Sequence, residues 1–345
     1  MNWRQWAPGL IVLGALQAPL ARAQEAAVPA LHEVLAELNR ASLGQSYQGT
    51  MVVSAGEHMM TAKVWHACEG QQQHERVENL NGRKRITWRH NDTVTTVWPN
   101  QRRAVSRRFV DLGMFPAALQ VPPQRMAQHY AVQPLPAQRV AGRQAKGLRL
   151  QAKDAHRFSY NLLVDAETGV VLKLQTVAPN GAMLEQTAYS DIAFDNALAT
   201  QAHARLPPLP EGTVLTTERS EPVDPARMGW RLSQPVEGFQ ALRAYRLART
   251  APGSDALVPA PVWQWLFSDG LASISLVIDQ DNPNPPAGRP DQPVAVQQGA
   301  TFSYAQQVGA ARVTAVGEAP LPTLRAMVEA LQRVPLAAAS AGTLK

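Results

Sequence analysis

From Tyr47 to Phe194 apolar and polar residues alternate with a period of two, and turn residues break the alternation about every ten residues. The runs are "SYQGTMVVS", "HMMTAKVWH", "HERVENL", "RKRITWRH", "TVTTVWP" and "QRRAVSRRF". Between them stand Ala55-Gly56-Glu57, Glu69-Gly70, Asn81-Gly82, Asn91-Asp92 and Pro99-Asn100. Asn-Gly is the strongest of these hairpin signals. The alternation predicts an antiparallel meander with one buried face. It resumes at "GLRLQA" and again from Arg157, where Phe158, Tyr160, Leu162 and Val164 share a face and Asp165 to Gly169 and Asn180-Gly181 turn the chain. Ahead of the strands the period changes. Residues 28–43 put Leu31, Val34, Leu35 and Leu38 on one helical face, with Gly44 as a stop, which predicts an amphipathic helix covering something.

Residues 111–137 hold five prolines, which predicts short helix and loop across the mouth of the sheet rather than regular strand. Pro207, Pro208 and Pro210 form a stiff extended connector. Beyond it "FQALRAYRLA", "VWQWLFS", "LASISLVID", "TFSYAQQ" and "ARVTAVG" read as strands, and residues 320–333 as a last helix carrying Leu321, Leu324, Val328 and Leu331. Residues 281–293 hold five more prolines and read as a loop. The expected organisation is a signal at 1–23, a first domain at 24–205, a linker at 206–212, a second domain at 213–334 and a tail at 335–345.

The leader changes the compartment. Arg4 precedes an apolar run from about Ala7 to Leu20, and Ala21-Arg22-Ala23 is a cleavage pattern, so the mature chain is expected to start at Gln24 and to be periplasmic. The run is broken by Pro8 and Pro19 and falls short of the roughly 20 residues that span a bilayer. Removing the leader takes two arginines and no acid, so the formal charge drops from +6 to +4. That mild excess tolerates anionic partners, while export argues against nucleic acid. Cys68 is the one cysteine, makes no internal disulfide, and is expected to be buried.

Reaction chemistry is sparse. No G-x-S-x-G, Walker A, H-E-x-x-H or dinucleotide fingerprint occurs, so neither an enzyme nor a cofactor is predicted. His66, Cys68 and His74 come nearest to a metal set, but their spacing is not that of a zinc site, and no metal is predicted. Two features remain. Arg83, Lys84, Arg85 and Arg89 lie on one run and Arg102, Arg103, Arg107 and Arg108 on the next but one. Of these, Arg83, Arg85, Arg102 and Arg103 are the candidate site for phosphates or an acidic peptide. Trp65, Trp88, Trp98, Phe158, Tyr160 and Leu162 are the candidate lining of an apolar gap between sheet and helix, suited to an acyl chain or an apolar peptide side chain.

"HERVENLNGRKRITWRHNDTVTTVWPNQR", the block from "MAQHYAVQPLPAQRVAGRQAKGLRL" through "RFSYNLLVDAETG" to "AYSDI", "WQWLFSDGLASISLVID" and "RVTAVGEAPLPTLRAMVEAL" resemble, in this order, the RseB/MucB family of periplasmic negative regulators of the envelope-stress sigma factor. The resemblance runs from about residue 30 to 333. It implies an α+β fold: a lipoprotein-carrier-like antiparallel half-barrel with covering helices, then a smaller mixed α/β domain. It implies no catalytic residue and no cofactor. Its implied partners are the periplasmic domain of an RseA/MucA-type anti-sigma factor, shielded from proteolysis, and lipid or lipopolysaccharide fragments that favour release. Homo-oligomers are compatible with it. The runner-up is a periplasmic lipid or lipoprotein carrier on the same half-barrel, which has no need of the second domain. The proline-rich 281–293 segment departs from the family pattern, and no partner-contact residue carries over individually.

Overall fold

The computed structural model describes residues 30–70, 72–108, 123–194, 206–250, 257–279 and 292–334. The leader, the tail and most of the 281–293 segment lie outside the described residues. The first helix, α1 (Leu31–Gly44), buries Leu31, Val34, Leu35, Leu38 and Ala41, the stripe its sequence spacing predicts. Glu33 caps its first turn by accepting a hydrogen bond from the Ala30 backbone N–H at 3.0 Å.

Six strands follow as a meander: β1 (Tyr47–Ala55), β2 (His58–Glu69), β3 (Gln72–Asn79), β4 (Ile86–His90), β5 (Thr93–Trp98) and β6 (Arg103–Arg108). Each pairs antiparallel with the next. A short helix, α2 (Pro123–His129), precedes β7 (Tyr130–Val140), β8 (Arg143–Ala152), β9 (Ser159–Asp165), β10 (Val171–Val177) and β11 (Met183–Phe194). These five also form a meander, and β11 returns to pair with β1. The result is an open eleven-stranded half-barrel in the order β7-β8-β9-β10-β11-β1-β2-β3-β4-β5-β6. Helices α1 and α2 fill its concave face, against Tyr130, Leu150, Phe158, Tyr160, Leu162 and Val164.

One expectation is corrected here. Residues 130–140 are strand despite Pro134 and Pro136. β7 lies at the end of the sheet, where a missing N–H costs no ladder bond, and its register slips between Leu135 and Gln138.

The second sheet starts from the first. β12 (Val214–Pro222) runs parallel to β6, Val214 opposite Arg103 through Glu218 opposite Arg107, and its far half pairs with β14 (Gln240–Thr250). β15 (Leu257–Ser268), β16 (Ser273–Asp279), β19 (Ala311–Gly317), β18 (Thr301–Val308) and β17 (Val294–Gln298) complete it in that order. A small ladder joins β13 (Trp230–Leu232) to β20 (Leu331–Arg333). Helix α3 (Leu321–Glu329) packs Leu324, Met327 and Val328 against Ile274, Leu276, Val313 and Ala315. The last helix is thus shorter than its sequence pattern suggests, and its final residues turn into β20.

Candidate functional site

Three places on the molecule gather polar chemistry. The first is at the hairpin ends of β2 to β5. Asn81 builds it: its side-chain carbonyl accepts from the Thr61 N–H at 2.8 Å and its amide donates to the Met59 carbonyl at 3.0 Å. Gly82 follows at φ 71°, a left-handed conformation that suits glycine. The result is a cavity of about 360 Å³ lined by Arg83, Arg85, Trp98, Met59, Met60 and Asn79 among others. The Arg103 guanidinium lies over the Trp98 ring at 4.9 Å, which places it beside the cavity. Arg102 instead turns to the linker, where its carbonyl accepts from the Val214 N–H at 2.8 Å and its side chain lies alongside Gly212. Among the described residues none of these four arginines is in an ion pair, whereas Lys84 faces Glu78 and Arg108 holds Asp92. Two of the four candidate arginines, Arg83 and Arg85, therefore line one cavity, and a third, Arg103, stacks on its Trp98.

The six candidate apolar residues do not line one gap. Phe158, Tyr160 and Leu162 are packed core beneath α1, at most 1 % exposed. The second place is on the opposite face, at Trp65 and Trp88, where the Arg76 guanidinium sits 4.6 Å and 5.5 Å from their rings and donates to Glu78 at 2.6 Å. Leu209 of the linker packs on that face, against the cluster that holds Trp88. Trp98 belongs to the cavity. Strand parity separates neighbours such as Val64 and Trp65, and the choice of face depends on where α1 settles. The same parity separates the histidines. His66 and Cys68 face α1, whereas His74 stacks on His90 on the other side at 4.4 Å. Cys68 is half-buried rather than buried.

The third place is the joint between the sheets, and sequence reasoning missed it. Arg157, in the β8–β9 connection, has no exposed surface and donates to Asp269 at 2.9 Å, to Asp154 at 2.9 Å and to the Glu237 carbonyl at 2.7 Å. Asp269, in the β15–β16 turn, is 1 % exposed and also accepts from the Tyr130 hydroxyl at 2.8 Å and from the Leu271 and Ala272 N–H groups. The Thr323 hydroxyl adds a bond to the His156 carbonyl at 2.9 Å. A buried guanidinium persists only when each such partner is present. Burial works against the Asp154 carboxylate, but Arg157 and the His156 N–H outweigh it and hold its pKa below the usual value. The available signals were an arginine leading an apolar strand and the Ser268-Asp269-Gly270 turn, neither of which names its partner.

Most of the described chain matches two consecutive family models, the MucB/RseB N-terminal domain over residues 30–209 and the MucB/RseB C-terminal domain over 224–332. The chain belongs to the MucB/RseB family. Within it, the chain is 27 % identical over 320 residues to the sigma factor AlgU regulatory protein MucB of Pseudomonas aeruginosa, covering 91 % of this chain and 93 % of that one. It is 23 % identical over 331 residues to the sigma-E factor regulatory protein RseB of Escherichia coli K12, covering 94 % and 96 %. The crystal structure of MucB in complex with MucA(peri) superposes with a TM-score of 0.61 at 24 % identity, over 88 % of this chain and 99 % of that chain. MucB crystallised alone gives 0.61 at 22 %. These relatives are regulatory proteins, not enzymes, and the MucB/RseB fold accounts for both sheets of this chain. Among the described residues no helix is long and apolar enough to cross a membrane.

Proposed function

We propose that this protein is a periplasmic regulator that binds the periplasmic part of a transmembrane anti-sigma factor, covers the segment a protease must reach, and so restrains the envelope-stress response. The observation that carries this reading is the match to MucB/RseB models over both domains, together with relatives named for sigma-factor regulation and a MucB solved with MucA(peri). The leader at residues 1–23 delivers the chain to that compartment. Protection follows from mass action: the bound fraction of the anti-sigma factor is the protected fraction.

Release is the second half of the proposal. A lipid or lipopolysaccharide fragment that binds the free regulator better than the complex shifts the balance toward free anti-sigma factor. Arg83, Arg85 and Arg103 around the Trp98 cavity suit a phosphate-bearing head group, and Met59, Met60 and Trp98 suit the start of an acyl chain. Arg102, turned to the linker beside Gly212, is left out of this site. Pull-down of the mature protein on the periplasmic segment of the anti-sigma factor, with and without lipopolysaccharide, tests both halves. Capture that lipid reverses is expected. Capture indifferent to lipid removes the release step, and failure of capture overturns the proposal. Arg83→Glu with Arg85→Glu should weaken lipid binding at least about tenfold while leaving the circular dichroism unchanged, and unchanged lipid affinity in the folded variant removes the cavity as the lipid site.

A further inference from the structure

Cys68 does not stand alone. It lies near the end of β2 on the face covered by α1, half-exposed. His66, two residues earlier on the same face, places Nε2 3.3 Å from the Cys68 sulfur. Glu75, directly across the β2–β3 ladder from His66, places a carboxylate oxygen 3.4 Å from Nδ1. The Tyr47 ring stacks on the imidazole at 5.0 Å and fixes its plane. Nucleophile, imidazole and orienting carboxylate follow in the order that activates a thiol.

The protons on His66 follow from its neighbours. Nε2 lies 3.1 Å from the Ser42 carbonyl, which can only accept, so Nε2 carries a hydrogen. Nδ1 lies at ion-pair distance from the Glu75 carboxylate, outside hydrogen-bond geometry, and that charge favours a hydrogen there as well. The ring is then an imidazolium, and at 7 % exposure its charge is poorly screened by water. Two carbonyls oppose an anionic sulfur, that of Gln45 at 3.6 Å and that of Ser42 at 3.8 Å. They are dipoles at longer range, whereas the imidazolium is a full charge at 3.3 Å. The other polar groups of the neighbourhood include the Ser46 hydroxyl, which accepts from the Cys68 N–H at 3.0 Å, the Tyr47 and Tyr189 rings and, opposite Glu75 on β4, Arg89. Gln73 stands across the ladder from Cys68, and its buried amide nitrogen has no hydrogen-bond acceptor.

We propose that Cys68 is a covalent modification site, a thiol activated by His66 that reacts first with hydroperoxides and then with small thiols. The sulfur attacks the distal oxygen of the peroxide. An S–O bond forms, the O–O bond breaks, and the departing alkoxide or hydroxide leaves protonated by His66, which regains its proton from solvent. The sulfur is oxidised by two electrons to a sulfenic acid and the peroxide is reduced. A small thiol then attacks the sulfur. An S–S bond forms, the S–O bond breaks, and the thiol's proton leaves with the hydroxide as water. The chain holds no second cysteine, so the product is a mixed disulfide. The new group stands where the sulfur meets the Ser42 and Gln45 carbonyls at the end of α1.

The test uses the full mature chain, whose single thiol makes every label unambiguous. Alkylation by iodoacetamide is followed by intact mass at pH 6, folded and in urea. The folded thiol is expected to react at least about tenfold faster than the unfolded one, because the His66 imidazolium stands 3.3 Å from the attacking sulfur. His66→Gln should bring the folded rate down to the unfolded one. A folded rate at or below the unfolded rate overturns the proposal without needing any variant. Exposure to hydrogen peroxide and then glutathione should add one tripeptide through a reductant-sensitive bond, and no adduct overturns the modification step even if alkylation is fast.

Discussion

Replacing Asp269 with alanine would leave the fully buried Arg157 without its facing carboxylate. Breaking one side of a buried ion pair costs about 3–5 kcal/mol, because the other charge stays in the interior uncompensated. Two features decide where in that range the variant falls. Asp154 remains bound to Arg157 at 2.9 Å, which limits the loss. The Tyr130 hydroxyl and the Leu271 and Ala272 N–H groups all lose their acceptor, which enlarges it. The upper half of the range is expected. The reverse variant, Arg157→Met, strips the same pair but leaves Asp269 with those three donors, so it should cost less, about 1.5–3 kcal/mol. The double variant Asp269→Leu with Arg157→Met removes both charges and should recover part of the loss. Urea unfolding of the mature protein, followed by tryptophan fluorescence, measures all three. A cost below about 1 kcal/mol for Asp269→Ala, or a larger cost for Arg157→Met than for Asp269→Ala, would refute the account of the joint.

His66 makes stability depend on pH: burial opposes its charge, but Cys68 and Glu75 beside it raise its pKa from 6.5 to about 9. A raised histidine stabilises the fold fully below pH 6.5 and loses that contribution as pH rises to about 9, a change on the order of 3 kcal/mol that urea midpoints across this window should show and that Glu75→Gln should shrink. Glu318 is exposed, yet the crowding round its carboxyl, with Glu185 adding to it, raises that group above its usual value, so ionising it at pH 7 costs a little stability that water screens in part. Glu318→Gln should therefore raise the urea midpoint at pH 7 and have less effect at pH 4, and a lowered midpoint at pH 7 would contradict this. Gly238 sits at φ 84°, and a methyl there would meet the Arg157 guanidinium and His129 at 2.8 Å. Gly238→Ala should cost more than about 1 kcal/mol in the same urea assay, and a neutral result would mean that the joint yields easily.

The meander was legible because alternation and turn residues are local signals. The Asn81-Gly82 hairpin, the α1 stripe and most strands of both sheets follow from them. β7 was not legible, since Pro134 and Pro136 argue against a central strand and nothing local says that 130–140 lies at an edge. The arginine grouping was half legible. Arg83 and Arg85 meet Trp98 because hairpin ends align, while Arg102 is drawn off by a linker whose course no nearby residue encodes. The aromatic gap failed on parity: Trp65 and Tyr160 both look like core positions, yet they lie on opposite faces. The Arg157–Asp269 pair joins residues 112 apart in the chain, and only the docking of two sheets brings them together.

The strand order also sets a timetable. α1 comes first in the described chain, yet the residues it covers, Tyr160, Leu162 and Val164, are on β9, and β1 closes its second edge only on β11, with Met51 opposite Tyr189. Closing such long loops is entropically slow, and a helix of 14 residues gains little by itself in water. The leading helix therefore lacks most of the surface it covers until the chain as far as Val164 has been made. A chain ordered in this way, carried by the leader proposed for it, would meet an export channel front end first with that end still largely extended.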